Sequence, residues 1–290
     1  MGVSSFDILL SPQPAETNMP GMPKRPFAMV PLPAARSEKP RRSGLTMIVD
    51  AGMPPGQQAD LMALAADYVD LAKIKTGSAR VYSEPLLRKK LQNYRRHRVQ
   101  PFLGGQFHEH VFATQGQKAL PRFYDEALRL GFAAIEISDN VVPLTPRERK
   151  NQIRAASRAG LTVYGEVGSK ETASNPRLLV SQAEDCFAAG AALVLVEAAE
   201  LVVKGKPNRR TLDLLLKSLD LRKVMIELPG PWIPEVRACD VELLKKLLIE
   251  ALGPDVNLAN VSPEDLIDLE TTRVGLGVAG PPKNQRNSVR

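Results

Sequence analysis

A charged, amide or glycine residue closes an apolar run about every thirty positions along this chain. The runs are LTMIVD ending at Asp50, YVDLAKI with Lys73, VQPFLGG at Gly104 and Gly105, and AAIEIS with Glu136. They continue with LTVYGEV and Glu166, ALVLVE and Glu197, KVMIEL and Glu227, and VNLAN with Asn257 and Asn260. From Gly105 onward the closing residues follow at spacings of 31, 30, 31, 30 and 30. A strand, a loop, a helix and a second loop occupy about that many residues, and eight such units close a (β/α)8 barrel. The closing residues would then meet at the C-terminal rim, where such barrels hold their active sites.

The chain's 290 residues accommodate one barrel of about 250 residues, and the expected class is α/β, a (β/α)8 TIM barrel in a single domain. The runs are short, continuous and rich in Val, Ile and Leu, as strands covered on both faces should be. Between them Thr145-Pro146-Arg147-Glu148 and Ser262-Pro263-Glu264-Asp265 carry helix-start signals. Gly131, Gly160, Gly190 and Gly253 stand where helices should stop. Eight units of near-constant length favour closure over an open doubly wound sheet. The barrel is expected over 44–278. It is preceded by a Pro-rich extension over 1–43, irregular or draped on the surface, and followed by a disordered basic tail over 279–290.

The formal charge of +7 raises the question of nucleic acid, and its location answers it. Lys24, Arg25, Arg36, Lys39, Arg41 and Arg42 outnumber Asp7, Glu16 and Glu38 in the first segment, and Lys283, Arg286 and Arg290 face no acid in the last. A nucleic-acid binder carries its basic stripe on the folded surface, so no nucleic-acid partner is expected. No apolar stretch reaches the roughly 18 residues of a membrane span, and no secretory signal is read at the N-terminus. Cys186 and Cys239 fall in helical segments without a ligand pattern. Cytoplasmic residence, away from membranes, is the resulting expectation.

Glu136, Glu166 and Glu197 end consecutive strands and Glu227 ends the next. Carboxylates sharing one basin need a cation, and oxygen-only ligation suits Mg²⁺. Glutamates lying in helix–strand seams and paired with arginines are the competing expectation. Lys73, inside an apolar strand, and Lys170, just past another, are the candidate cations for anion binding, proton transfer or imine formation. Gly104-Gly105 permits close approach of backbone to a ligand, as it would a tight turn. His108 and His110 form an H-x-H pair, but only His97 remains elsewhere to extend it. No phosphate-binding glycine loop is present in the sequence.

These residues together resemble the phosphosulfolactate synthase family. The likeness runs in order through Glu38-Lys39-Pro40-Arg41, Gly44-Leu45-Thr46, Asp50, Asp67-Tyr68-Val69-Asp70 with Lys73, and Gly104-Gly105. It continues through Gly131-Phe132, Glu136-Ile137-Ser138-Asp139, Glu166-Val167-Gly168 with Lys170, Glu197, Glu227, Val256-Asn257-Leu258-Ala259-Asn260, and Leu269-Glu270-Thr271 with Arg273 and Gly275-Leu276. The resemblance implies Mg²⁺-dependent Michael addition of sulfite to phosphoenolpyruvate, giving 2-phospho-3-sulfolactate. It implies Lys170 as the acid, tuned beside Glu166, and metal ligands among Glu136, Asp139, Glu166 and Glu197. Lys73 would face a substrate anion, with Asp50, Gly104, Gly105, Glu227, Asn257 and Asn260 also binding substrate. A homo-oligomer is expected on the same likeness.

The chain departs from the family's pattern at several places. Asp50-Ala51-Gly52 stands for Asp-Lys-Gly, Lys75-Thr76-Gly77-Ser78-Ala79 for Gly-Trp-Gly-Thr-Ser, and Leu103-Gly104-Gly105-Gln106 for Pro-Gly-Gly-Thr. Glu197-Ala198-Ala199 stands for Glu-Gly-Arg, and Gly275-Leu276-Gly277-Val278-Ala279 for Gly-Leu-Arg-Gly-Asp. Three basic side chains are thus absent at or near the presumed anion-holding rim. Two further readings accompany the departures. One keeps enolate chemistry on a different anionic substrate. The other keeps the barrel without catalysis, as in the plant heat-stress-associated proteins that the family also resembles.

Overall fold

The computed structural model describes residues 25–168, 175–197, 201–203, 206–230 and 236–277. Eight strands form the barrel: β1 (Thr46–Asp50), β2 (Leu71–Ile74), β3 (Gln100–Leu103), β4 (Ala134–Ile137), β5 (Thr162–Val167), β6 (Leu193–Glu197), β7 (Val224–Glu227) and β8 (Leu258–Val261). Each pairs in parallel with its sequence neighbours, and β8 pairs with β1, so the sheet closes. A small antiparallel pair, Val202–Val203 with Lys206–Pro207, follows β6. The helices are α1 (Pro55–Ala65), α2 (Ser78–Val81), α3 (Glu84–Arg96), α4 (Gly105–Gln115), α5 (Leu120–Leu130), α6 (Pro146–Arg158), α7 (Pro176–Ala189), α8 (Arg209–Ser218), α9 (Ala238–Leu252) and α10 (Leu266–Arg273). The expected (β/α)8 barrel is the observed one.

Local chemistry accounts for where the helices begin and end. Thr145 and Glu148 form a reciprocal capping box at the start of α6. Gly131 and Gly190 take left-handed conformations at φ 104° and 109° to close α5 and α7. The similar signal at Ser262 opens a 3₁₀ turn, Pro263–Asp265, with α10 following at Leu266.

Apolar side chains divide into two shells because strand residues alternate between faces. Ile48, Ala72, Ile135, Val163, Val194 and Ile226 belong to the shell between strands and helices. Met47, Leu71, Phe102, Ala134, Tyr164, Leu195, Met225 and Ala259 belong to a separate cluster inside the barrel. Phe102 and Tyr164 meet edge-to-face there, centroids 5.0 Å apart. This plug is the floor on which the rim stands.

Residues 32–44 have no regular secondary structure and lie across the N-terminal end of the barrel. Arg36 donates to Asp255, Glu270 and the Gly44 carbonyl, and Lys39 to the carbonyls of Ala66 and His97. Arg41 pairs with Asp70, whose other oxygen accepts from Thr46 N. The expectations for 1–24 and 279–290 fall on residues outside those described.

Candidate active site at the C-terminal rim

Five charged residues sit two positions beyond an inward-facing apolar residue and so face inward themselves. They are Lys73 after Leu71, Glu136 after Ala134, Glu166 after Tyr164, Glu197 after Leu195 and Glu227 after Met225. The four glutamates are each about 2% exposed or less. Lys73 Nζ lies 2.7 Å from Glu136 Oε2 and 2.7 Å from Glu227 Oε1. Burial of the ammonium opposes its charge at several kcal/mol. Each contact contributes on the order of 6 kcal/mol at an effective dielectric of about 20, so the pairing wins. Burial alone would lower the Lys73 pKa; Glu136, Glu227 and Glu166 overcome it and hold the pKa well above the usual lysine range.

Glu136, Glu166 and Glu227 each bring one carboxylate oxygen to within 4.8 Å of the others. Glu197 stands beside Glu227 in the register of β6 and β7, a like-charge neighbour that is unfavourable on its own account. Three buried oxygen donors around one point are the set that a hard divalent cation takes. The residues present therefore fit such an ion.

The structure treats the other sequence-selected residues differently. Asp139 turns away from the cluster and pairs with buried Arg149 of α6. Asp50 follows inward-facing Val49 and so points outward. There its Oδ1 accepts from Gly52 N and Met53 N, and its Oδ2 from Lys90 Nζ and Tyr94 Oη. It shapes the β1–α1 turn from beneath. Asn257 precedes β8 and lies at the opposite end of the barrel, where it bonds Leu45 N and the carbonyls of Leu221, Arg222 and Val224. A residue entering a strand cannot close it at the rim. Asn260 does reach the rim, in a left-handed conformation at φ 57°.

Gly105 N donates to Glu136 Oε1 at 2.9 Å. A Cβ there would come within 2.1 Å of Ser138 Oγ, so glycine is required for the chain's own contact with Glu136. Gly104 packs against Lys73 and the Ile74 carbonyl. Gly277 follows α10, which returns to the N-terminal end, and rests on Thr272. Its lack of a basic side chain therefore removes nothing from the rim. Lys170, Ala198 and Ala199 lie outside the described residues.

His108 is buried, stacked on Tyr124 and hydrogen-bonded to its hydroxyl at 2.9 Å, and burial pushes its pKa down to about 4. It is a neutral packing residue pointing away from the rim. Sequence reasoning passed over Asn140, whose Nδ2 donates to Glu166 Oε1 at 2.7 Å, and Glu109, which accepts from the loop carrying Asn140. Asn140 stands four residues after Glu136, but no periodic signal marks it.

A cavity of about 910 Å³ opens on the β1, β7 and β8 side of the rim. Ala51, Lys75, Gly230, Arg237, Lys245 and Asn260 are among its walls. The buried Asn260 Oδ1 has no hydrogen-bond partner among the described residues. The five strand-borne charges do not line this cavity, although Val49 and Asn260 on its wall flank their ring in strand order. The chemistry-bearing side chains gather in the strand-borne charge cluster and not in this cavity.

Fold and rim together define a (β/α)8 barrel with a carboxylate-rich mouth, the architecture in which barrel enzymes hold their active sites. Residues 34–278 match the family described as (2R)-phospho-3-sulfolactate synthase (ComA). Phosphosulfolactate synthase from Methanothermobacter thermautotrophicus is 33% identical over 253 residues, covering 83% of this chain and 92% of that protein. Protein HEAT-STRESS-ASSOCIATED 32 from Arabidopsis thaliana is 25% identical over 268 residues, covering 82% and 88%. The carboxyl transferase domain of Rhizobium etli pyruvate carboxylase superposes with a TM-score of 0.52 at 12% identity, covering 78% of this chain and 41% of that one, a likeness of fold alone. The chain belongs to the phosphosulfolactate synthase family, as an enzyme of that family.

Proposed function

We propose that this enzyme adds sulfite to phosphoenolpyruvate to give 2-phospho-3-sulfolactate, with Mg²⁺ as cofactor. The observation that carries the reading is the buried group of Lys73, Glu136, Glu166 and Glu227 at the barrel mouth of a chain in this family. Sulfite sulfur attacks the methylene carbon, and the alkene electron pair moves toward the substrate carboxylate. A proton delivered to the adjacent carbon completes the addition. In this reading Lys170 delivers that proton, with Glu166 beside it. Lys73 holds an anionic group of the substrate. Glu136, Glu166 and Glu227 hold the cation, which when bound supplies electrostatic stabilisation of the negative charge developing on the carboxylate.

Ala51 lacks the family's lysine, but Lys75, Arg237 and Asn260 share its cavity and would meet the phosphate or sulfonate. A cytoplasmic homo-oligomer acting on small anions, without nucleic acid or membrane, completes the proposal. Among the described residues no helix is long and apolar enough to cross a membrane. The test is incubation of purified protein with phosphoenolpyruvate, sulfite and Mg²⁺, followed by phosphorus NMR and mass spectrometry. A sulfonated phosphoester that disappears in Lys170→Ala supports the assignment. No product at high enzyme concentration refutes the substrates, and undiminished Lys170→Ala activity refutes the acid.

A further inference from the structure

Glu109 stands on α4, outside the charged ring, and is only 2% exposed. Its carboxylate is wrapped by the loop that follows β4. Oε1 accepts from Ser138 Oγ and from Asn140 N at 3.2 Å, and Oε2 accepts from Val141 N at 2.7 Å and Val142 N at 2.9 Å. Three consecutive backbone donors converge on one buried anion, so the shape of residues 138–142 depends on that charge. The same loop presents Asn140, which donates to Glu166 Oε1 at 2.7 Å. Helix α4 therefore reaches two of the three cluster acids. It touches Glu136 directly through Gly105 N, and Glu166 through Glu109, the loop and Asn140.

We propose that Glu109 is a positioning residue for the cation site: it folds residues 138–142 so that Asn140 fixes the orientation of Glu166. The inference rests on reading Glu136, Glu166 and Glu227 as cation ligands. A carboxylate that ligates through one oxygen needs its plane set by a partner on the other, and loss of such a partner typically weakens metal binding ten- to a hundred-fold. Glutamine at 109 is nearly isosteric, but its amide would set a donor against the loop's backbone donors and remove the charge that gathers them.

The experiment measures Mn²⁺ affinity by electron paramagnetic resonance of free Mn²⁺, on full-length wild type, Glu109→Gln, Asn140→Ala and the double variant. Amide hydrogen exchange at residues 140–142 and the thermal midpoint are followed alongside. We expect each single variant to weaken Mn²⁺ binding roughly ten-fold or more, with faster exchange at 140–142 in Glu109→Gln. The double variant should be no weaker than the worse single one, because both act along one path. Glu109→Asp, which keeps the charge but retracts it, stands in if Glu109→Gln does not fold. Wild-type affinity in Asn140→Ala, or single effects that multiply in the double variant, would overturn the inference while leaving the cation reading intact. A wild-type protein that binds no Mn²⁺ would overturn both.

Discussion

Both ends of this barrel bury charge, but they complete it in opposite ways. At the N-terminal end Arg36 spans Asp255, Glu270 and the Gly44 carbonyl, Arg41 meets Asp70, and Asn257 stitches four backbone groups. Arg273, 1% exposed, donates to the carbonyls of Pro254 and Val256. Each of these partners is fixed by the fold, and residues 32–44 form the cover. At the C-terminal end four inward-facing glutamates share one ring with Lys73, and two of them stand side by side on neighbouring strands. A barrel selected only for stability would gain by replacing such a group with apolar side chains. The first arrangement holds a structure together. The second gathers buried carboxylates around one ammonium at the mouth, where a cation or proton donor can use them.

The contrast is broken most severely at Lys73. Lys73→Met keeps the stem but leaves Glu136 and Glu227 without their shared ammonium. Urea denaturation should show a loss of about 3–5 kcal/mol, with Mg²⁺ restoring more stability to the variant than to wild type, and turnover should vanish. Equal stability with and without Lys73 would contradict the pairing. At the other end Asn257→Ala forfeits four hydrogen bonds and should lose about 3 kcal/mol, while kcat per folded molecule stays within roughly twofold. A selective fall in kcat would move Asn257 into the site. A smaller effect sharpens the boundary of the charged region. His108 is held neutral by burial, its pKa lowered from 6.5 to about 4. The unfolded chain therefore takes up the proton first as pH falls from 6.5 toward 4, and stability present above that window drains away within it. By about pH 5 the loss attributable to this group should be about 2 kcal/mol. Stability-versus-pH curves of wild type and His108→Gln should diverge by that amount, and parallel curves would show that His108 titrates normally.

The thirty-residue spacing made the barrel and its rim legible, because strand, helix and two loops occupy a nearly fixed length. It did not reveal which face of the wall a closing residue occupies. Asp50 and Lys73 both end apolar runs, yet one lies a single step past inward-facing Val49 and the other two steps past inward-facing Leu71. That parity sends Asp50 toward Lys90 and Tyr94, and Lys73 into the ring. The alternation is written in the sequence, but only barrel closure tells which parity faces inward. Asn257 was misplaced by where its strand starts, a matter of one residue. Gly277 was misplaced because α10 carries the chain back to the far end. Asp139 found Arg149 and Asn140 found Glu166, contacts between separate elements that no local pattern announces. Glu109 lies 29 residues before Ser138 and acts on a loop that only the fold brings to it.

The central claim is that Glu136, Glu166 and Glu227 form a cation site at the rim. Its most direct test is anomalous diffraction from crystals grown with Mn²⁺. The account predicts a single strong anomalous peak ligated by all three carboxylates, with Asp139 still paired to Arg149. A peak bound by Asp139 and Glu197 without Glu227, or no peak at saturating Mn²⁺, would contradict it.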